Sequence, residues 1–95
     1  MRILIADDES LIRMGLRKML EEVGHQVIAA AQDGRTAVRM ARDLNPELVI
    51  LDIKMPGHDG LEAARRIVAE NPVPIILLTA LKARIEPAAP LPEAL

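Results

Sequence analysis

The chain has 95 residues, enough for one small domain and too few for two. It contains no cysteine and no aromatic residue, which excludes disulfides, thiolate metal sites and aromatic platforms for stacking nucleic-acid bases. The formal net charge of −2, and the lack of any apolar run near the roughly 20 residues that span a bilayer, predict a cytoplasmic protein without direct nucleic-acid or membrane binding.

The first half of the chain predicts two strands and two helices in alternation. A short apolar run over residues 2–6, without polar alternation, is typical of a strand that is buried on both faces of a sheet. Apolar residues at helical spacing then predict a first helix, which Gly24 ends. Residues 26–30 are less apolar and predict a strand at the edge of the sheet. Asp33 opens a second helix, and Pro46 stops it.

The second half continues the alternation and then loses it. Residues 47–52 predict another fully buried strand, and a loop rich in Pro and Gly leads to a third helix and a fourth strand over residues 74–79. This order predicts an α/β domain with a parallel sheet and right-handed crossovers. Three prolines leave no room for a further strand in the last part, so we expect a domain over residues 1–80 and a Pro/Ala-rich tail over residues 81–95.

Helical periodicity predicts which side chains face the sheet. The inward stripes are Ile12, Leu16, Met19, Leu20 and Val23 in the first helix, Ala37, Val38, Ala41 and Leu44 in the second, and Leu61, Ala64, Ile67 and Val68 in the third. Core or gap-filling roles are also expected for Met14, Met19, Met40 and Met55.

Acidic residues stand where the two buried strands end. Asp7 and Asp8 follow the first of these strands, and Asp52 closes the second. Because the carboxyl ends of parallel strands meet at one edge of a sheet, we expect the three carboxylates to converge in one pocket. Crowded carboxylates repel one another unless a hard cation neutralises them, so the pattern indicates Mg²⁺ and phosphate chemistry. The competing interpretation is helix capping, for which Asp is common.

These acids belong to a longer pattern. The acid pair, the motif Asp-x-x-Met-Pro-x-x-x-Gly that starts at Asp52, and Leu-Leu-Thr-Ala at residues 77–80 resemble the receiver domain of bacterial two-component response regulators. The resemblance implies a flavodoxin-like (CheY-like) three-layer fold with a parallel sheet in strand order 2-1-3-4, lacking the fifth strand and fifth helix. The sequences around Asp8 and Asp52 are further similar to receivers that precede an RNA-binding antiterminator (ANTAR) domain.

The resemblance implies a role for each matching residue. Asp52 would be the phosphoacceptor that takes a phosphoryl group from a sensor histidine kinase. Asp8 and Asp52 would ligate Mg²⁺ directly, Asp7 directly or through water, and the backbone carbonyl of Lys54 would complete the protein ligands. The hydroxyl of Thr79 would be the switch that bonds a phosphoryl oxygen, with a cap or turn hydroxyl as the competing interpretation. The protein would then be a signalling module and not an enzyme, with at most slow self-phosphorylation and dephosphorylation.

The sequence departs from the family pattern after the fourth strand. Receivers normally carry, on a fifth strand, a Lys that pairs with the phosphoryl group. No such strand is predicted here. Lys82 is a candidate substitute, against the simpler interpretation of a solvated lysine. The alternative function is therefore a phosphorylation-impaired, receiver-like module for binding or dimerisation. A Mg²⁺-dependent phosphatase is disfavoured, because Lys54 stands where such enzymes usually have a second acid.

The predicted strand order leaves the fourth strand as an open sheet edge. Residues 75–78 carry no charge and no proline to protect that edge, and one sheet face would keep only the first helix. We therefore expect a homo-oligomer that forms through this edge, the bare sheet face or an exchanged tail.

Overall fold

The computed structural model describes residues 1–57 and 59–79. In these residues the elements are β1 (Arg2–Ala6), α1 (Ser10–Glu22), β2 (Gln26–Ala31), α2 (Gly34–Leu44), β3 (Leu48–Asp52), α3 (Gly60–Glu70) and β4 (Ile75–Leu78). The predicted order of elements is confirmed, and the strand boundaries agree to within one residue. The predicted tail over residues 81–95, including Lys82, lies outside the described residues.

The strands form one parallel sheet in the order β2-β1-β3-β4, as the resemblance implied. In the centre of the sheet, Ile5 of β1 lies between Ala30 of β2 and Ile50 of β3. At the carboxyl edge, Asp52 of β3 is in register with Leu78 of β4. Because β1 and β3 have neighbours on both sides, they carry the uninterrupted apolar runs that the sequence displays.

Helices cover the sheet on both faces and produce two apolar clusters. The cluster on the α1 face contains Ile3, Ile5, Val27 and Ile50, with Leu16 and Leu20 of α1 packed against it. The cluster on the α2 and α3 face includes Leu4, Ala6, Val49, Leu51, Ala37, Ala41, Ala63 and Ile67. Alternate residues of β1 and β3 thus serve opposite faces, as the pleat of a strand requires. Among the described helices, all are too short or too polar to cross a membrane.

The predicted inward stripe of α1 is partly wrong. No residue of α1 is buried, and Met14, Met19 and Val23 are respectively 65%, 59% and 71% exposed. Leu16 and Leu20, one turn apart, are the α1 side chains that pack against the cluster on this face. Such a narrow line of contact leaves the flanking apolar residues in solvent, which periodicity alone does not reveal. Met14 and Met19 are therefore not core residues.

The stripe of α3 is rotated from its predicted position, although Ile67 is buried and Ala64 packs against the cluster on this face, as predicted. Ala63 and Ile67 are buried, whereas Leu61 and Val68 are exposed. Ala63 belongs to the buried cluster on this face, and the larger side chains of Leu61 and Val68 lie at its flanks. Met55 is buried and Met40 packs against the same cluster, as predicted.

Polar residues cap α2 and α3, and the two ends of α2 agree with the prediction. Asp33 caps α2 through a hydrogen bond in which the Thr36 amide donates to its Oδ1 at 2.7 Å. Asp59 caps α3 in the same way, accepting from the Glu62 amide at 2.8 Å. At the other end of α2, Asn45 adopts a left-handed conformation with φ 54° and closes the helix. The caps at Asp33 and Asp59 determine where two loops of the carboxyl edge end.

Candidate functional site

Asp7 is the first residue after β1, and hydrogen bonds hold it on several sides. Its amide donates to the carbonyl of Ala31 at the end of β2 at 3.0 Å. Its carboxylate Oδ1 accepts from the Glu9 amide at 2.9 Å, within the turn that leads to α1. The side chain is buried. Asp7 thus presents a carboxylate of well-defined position at the carboxyl edge of the sheet.

Asp52 ends β3 and is also buried. The backbone that follows it is tied down on two sides, since the Ile53 amide donates to the Leu78 carbonyl at 3.0 Å and the Ile53 carbonyl accepts from the Gly60 amide at 2.7 Å. The Lys54 amide lies 3.4 Å from Oδ1 of Asp52, a long hydrogen bond. The position of Asp52 is therefore determined by β4 and by the start of α3.

The structure brings the three predicted acids together. Asp7, Asp8 and Asp52 each offer a carboxylate oxygen within 4.8 Å of the others, and Asp8 is exposed, which opens the cluster to solvent. Each pair of like charges at this distance repels by about 3 kcal/mol at an effective dielectric constant near 20. A divalent cation among them would convert this repulsion into attraction. Carboxylate oxygens are the donors that hard cations such as Mg²⁺ prefer, so the residues present fit such an ion.

The other two predicted site residues are neighbours of Asp52. Thr79 directly follows Leu78, the residue of β4 in register with Asp52, and it is exposed. Lys54 is exposed in the loop after β3. The hydroxyl of Thr79 as a switch and the carbonyl of Lys54 as a metal ligand stay predictions.

The loop between β3 and α3 is anchored on α2. Met55 points into the core, and the next carbonyl, that of Pro56, accepts a hydrogen bond from the Gly34 amide at 3.4 Å. Gly57 has φ 79°, a left-handed conformation that disfavours other side chains. Met55, Pro56 and Gly57 thus position the loop beside Asp52.

Two residues contribute to the site in ways that the sequence reasoning missed. Gly60 was used only as a motif position, yet a Cβ on it would lie 2.3 Å from the Asp52 carbonyl oxygen and 2.6 Å from the Ile53 Cα. The helix start therefore requires glycine to pack against the backbone of the acceptor residue. Arg13 of α1 donates from Nη1 to the Asp7 carbonyl at 2.7 Å. A glycine at a predicted helix start is a signal that could indicate the close contact of Gly60. The sequence offers no signal for the hydrogen bond of Arg13.

A sheet of order 2-1-3-4 with an acid cluster at its carboxyl edge defines a class of signalling domain. The chain belongs to the response regulator receiver domain family, whose model matches residues 3–89. The match agrees with the resemblance predicted from the acid pair and the Asp52 motif, and it extends into the predicted tail.

Individual relatives and solved structures agree with this assignment. The chain is 48% identical over 83 residues to the transcriptional regulatory protein PdtaR of Mycobacterium tuberculosis, covering 87% of this chain and 40% of that protein. It is 41% identical over 81 residues to a protein-glutamate methylesterase/protein-glutamine glutaminase of Archaeoglobus fulgidus, covering 85% of this chain and 23% of that one. The response regulator domain of Thermotoga maritima CheB superposes with a TM-score of 0.82 at 30% identity, over 93% of this chain and 66% of that chain.

The fold is therefore the flavodoxin-like, CheY-like α/β fold that the resemblance implied. The chain spans about two fifths of the length of PdtaR and less of the methylesterase.

Proposed function

We propose that this receiver accepts a phosphoryl group on Asp52 from a sensor histidine kinase, with Mg²⁺ bound by Asp7, Asp8 and Asp52. The observation that carries the proposal is the convergence of three carboxylate oxygens within 4.8 Å of one another, at the carboxyl edge of a receiver fold. Helix capping, the competing interpretation, does not account for Asp52, since the residues that cap α2 and α3 are Asp33 and Asp59. The side chain of Glu9, the cap of α1, accepts no capping hydrogen bond.

The carboxylate of Asp52 is the nucleophile in this proposal. One of its oxygens attacks the phosphorus of a phosphohistidine, the new O–P bond forms while the P–N bond breaks, and the leaving imidazole takes up a proton. The product is an aspartyl phosphate. A bound Mg²⁺ would supply charge neutralisation for the oxygens of the transferring group. The burial of Asp52 and the two backbone hydrogen bonds of Ile53 hold the nucleophile in place before the reaction.

Lys54 and Thr79 complete the proposed site. We assign the Lys54 carbonyl as a further Mg²⁺ ligand and the Thr79 hydroxyl as a donor to a phosphoryl oxygen. Support for both comes from their positions, since Lys54 is two residues from Asp52 and Thr79 follows the β4 residue in register with it. A hydroxyl at the end of β4 would report the phosphorylated state to whatever binds that edge of the sheet.

Incubation with Mg²⁺ and a small acyl phosphate, followed by intact-mass measurement, tests the proposal. We expect the wild type to gain the mass of one phosphoryl group, and Asp52→Asn or removal of Mg²⁺ with a chelator to abolish the gain. Asp59→Asn is the matched control, because Asp59 is exposed, caps the start of α3 and is outside the acid cluster. A mass gain that survives in Asp52→Asn, or none in the wild type, contradicts the assignment. The second of these results favours the phosphorylation-impaired binding module.

The biological setting is also part of the proposal. Receiver domains are generally signalling modules without turnover of their own, and we propose the same here, in the cytoplasm, without direct nucleic-acid or membrane binding. The 48% identity to a transcriptional regulatory protein supports an output in gene regulation. An RNA-binding antiterminator partner domain stays a prediction.

Self-association through β4 is the remaining part of the proposal. Within residues 1–57 and 59–79, β4 pairs with β3 on one side only, and Ile76 in its middle is 48% exposed. An edge strand without charge or proline is a template for pairing with a second copy. We expect sedimentation at tens of micromolar to show a dimer, and Ile76→Lys to shift it towards monomer. Val68→Lys, at a position 46% exposed on α3, is the matched control. A wild type that stays monomeric contradicts self-association through β4 and leaves the phosphoacceptor assignment unaffected.

A further inference from the structure

Arg13 reaches back from α1 to the acid cluster. Its amide donates to the Glu9 carbonyl at 3.1 Å, so the residue belongs to the first turns of the helix. Long side chains on a helix point towards the helix amino terminus, which directs the guanidinium of Arg13 to the end of β1. There its Nη1 donates to the Asp7 carbonyl at 2.7 Å, in a partly buried position. The short distance is typical of a hydrogen bond from a charged donor.

The carbonyl that Arg13 holds belongs to the peptide bond between Asp7 and Asp8. A change of ψ at Asp7 or of φ at Asp8 that the other angle does not compensate would move the two carboxylates relative to each other and to Asp52, and it would also swing this carbonyl away from Arg13. The Asp7 amide is already held by Ala31, and the Asp7 side chain accepts from Glu9. The guanidinium therefore adds a contact that holds the peptide plane joining the two acids.

We propose that Arg13 is a positioning residue for the divalent cation: by holding the Asp7 carbonyl it orients the carboxylates of Asp7 and Asp8 towards Asp52. The inference rests on the proposed metal site. Residues that orient metal ligands typically contribute 10- to 100-fold to metal affinity. A positive charge close to the cluster would by itself weaken cation binding, so the two possible effects of Arg13 have opposite signs. A measurement of Mg²⁺ affinity can therefore separate positioning from simple electrostatics.

The test compares Mg²⁺ dissociation constants by calorimetry, in the wild type, Arg13→Ala, Arg13→Lys and Arg17→Ala. Arg17 is the matched control, since it lies one turn further along α1 and its Nη1 donates to another strand carbonyl, that of Val27, at 3.4 Å. We expect Arg13→Ala to raise the dissociation constant about tenfold. Arg13→Lys, which keeps a charged donor, should recover part of that loss, and Arg17→Ala should leave the constant unchanged.

Urea denaturation of the same variants, and Mg²⁺ binding by Asp52→Asn, distinguish the remaining outcomes. A purely structural role of Arg13 predicts a lower urea midpoint with an unchanged dissociation constant, and that result overturns the inference. Unchanged or tighter Mg²⁺ binding by Arg13→Ala, or binding by Arg13→Lys that is as weak as that of Arg13→Ala, also overturns it. If the wild type binds no Mg²⁺, or if Asp52→Asn binds it equally well, the metal site itself fails and the role of Arg13 fails with it. Weaker Mg²⁺ binding by Asp52→Asn and by Arg13→Ala supports the metal site and the positioning role of Arg13.

Discussion

Replacement of Gly60 by alanine tests how closely α3 packs against the phosphoacceptor residue. The added Cβ would lie 2.3 Å from the carbonyl oxygen of Asp52, about 1 Å inside ordinary van der Waals contact. It would also lie 2.6 Å from the Cα of Ile53. The obstructing atoms are all backbone, so no side-chain rotation can relieve the contact. Either the start of α3 or the end of β3 must move.

The expected cost follows from this geometry. Overpacking of a well-packed site costs about 1–3 kcal/mol, and the higher helix propensity of alanine returns about 0.5–1 kcal/mol. Because the contact is with backbone, we expect a cost near the upper end of that range, about 3 kcal/mol, and therefore a net loss of about 2 kcal/mol. With a urea m-value of about 1–2 kcal/mol/M for a small domain, the midpoint should fall by about 1 M or more. A shifted Asp52 should also bind Mg²⁺ more weakly.

Urea denaturation followed by circular dichroism measures this effect, with Gly15→Ala as the control. Gly15 lies in the middle of α1, and a Cβ there meets nothing within 4 Å. That variant should gain about 0.5–1 kcal/mol from helix propensity. The reasoning is wrong if Gly60→Ala unfolds at the same urea concentration as the wild type, or if Gly15→Ala is destabilised to the same extent.

Three further variants test a helix cap and the rotation of α3. The hydrogen bond from the Thr36 amide lowers the pKa of Asp33 below its usual 3.8, so the stabilisation is present above that pH and is lost as the pH falls through the lowered pKa. Asp33→Ala should therefore lower the free energy of unfolding by about 1 kcal/mol at pH 7. In urea titrations at decreasing pH, the difference in unfolding free energy between this variant and the wild type should shrink below pH 3.8. A difference that stays constant would contradict this cause. Ile67→Ala should lower the free energy of unfolding by about 2–4 kcal/mol and Val68→Ala by less than about 1 kcal/mol in the same assay. A large loss at both positions would restore the stripe predicted from periodicity, which contains both residues, and a larger loss at Val68 than at Ile67 would contradict the burial of Ile67.

The order of the elements and the convergence of the acids could be predicted because both depend on local signals and on topology. Apolar runs, caps such as Asp33 and breakers such as Pro46 are readable residue by residue. Once the strands are parallel, the residues that end β1 and β3 must share an edge, and Asp7, Asp8 and Asp52 converge there.

What could not be predicted depends on contacts between distant parts of the chain. The exposure of Met14 and Met19 follows from α1 packing along a single line, and the rotation of α3 places Ala63 in the core cluster in the position expected for Leu61 and Val68. Periodicity contains no information on how near a helix approaches its sheet. The hydrogen bond from Arg13 to Asp7 likewise depends on a side-chain direction that only the folded structure reveals.

The measurement that tests the central claim most directly locates the phosphoryl group within the chain. After incubation with Mg²⁺ and a small acyl phosphate, borohydride reduction converts an aspartyl phosphate to homoserine, and peptide mass spectrometry then identifies the modified residue. The account predicts homoserine at position 52 and unmodified aspartate at positions 7 and 8. Modification at Asp7 or Asp8 in place of Asp52, or no modified aspartate in a sample that still binds Mg²⁺, would contradict it.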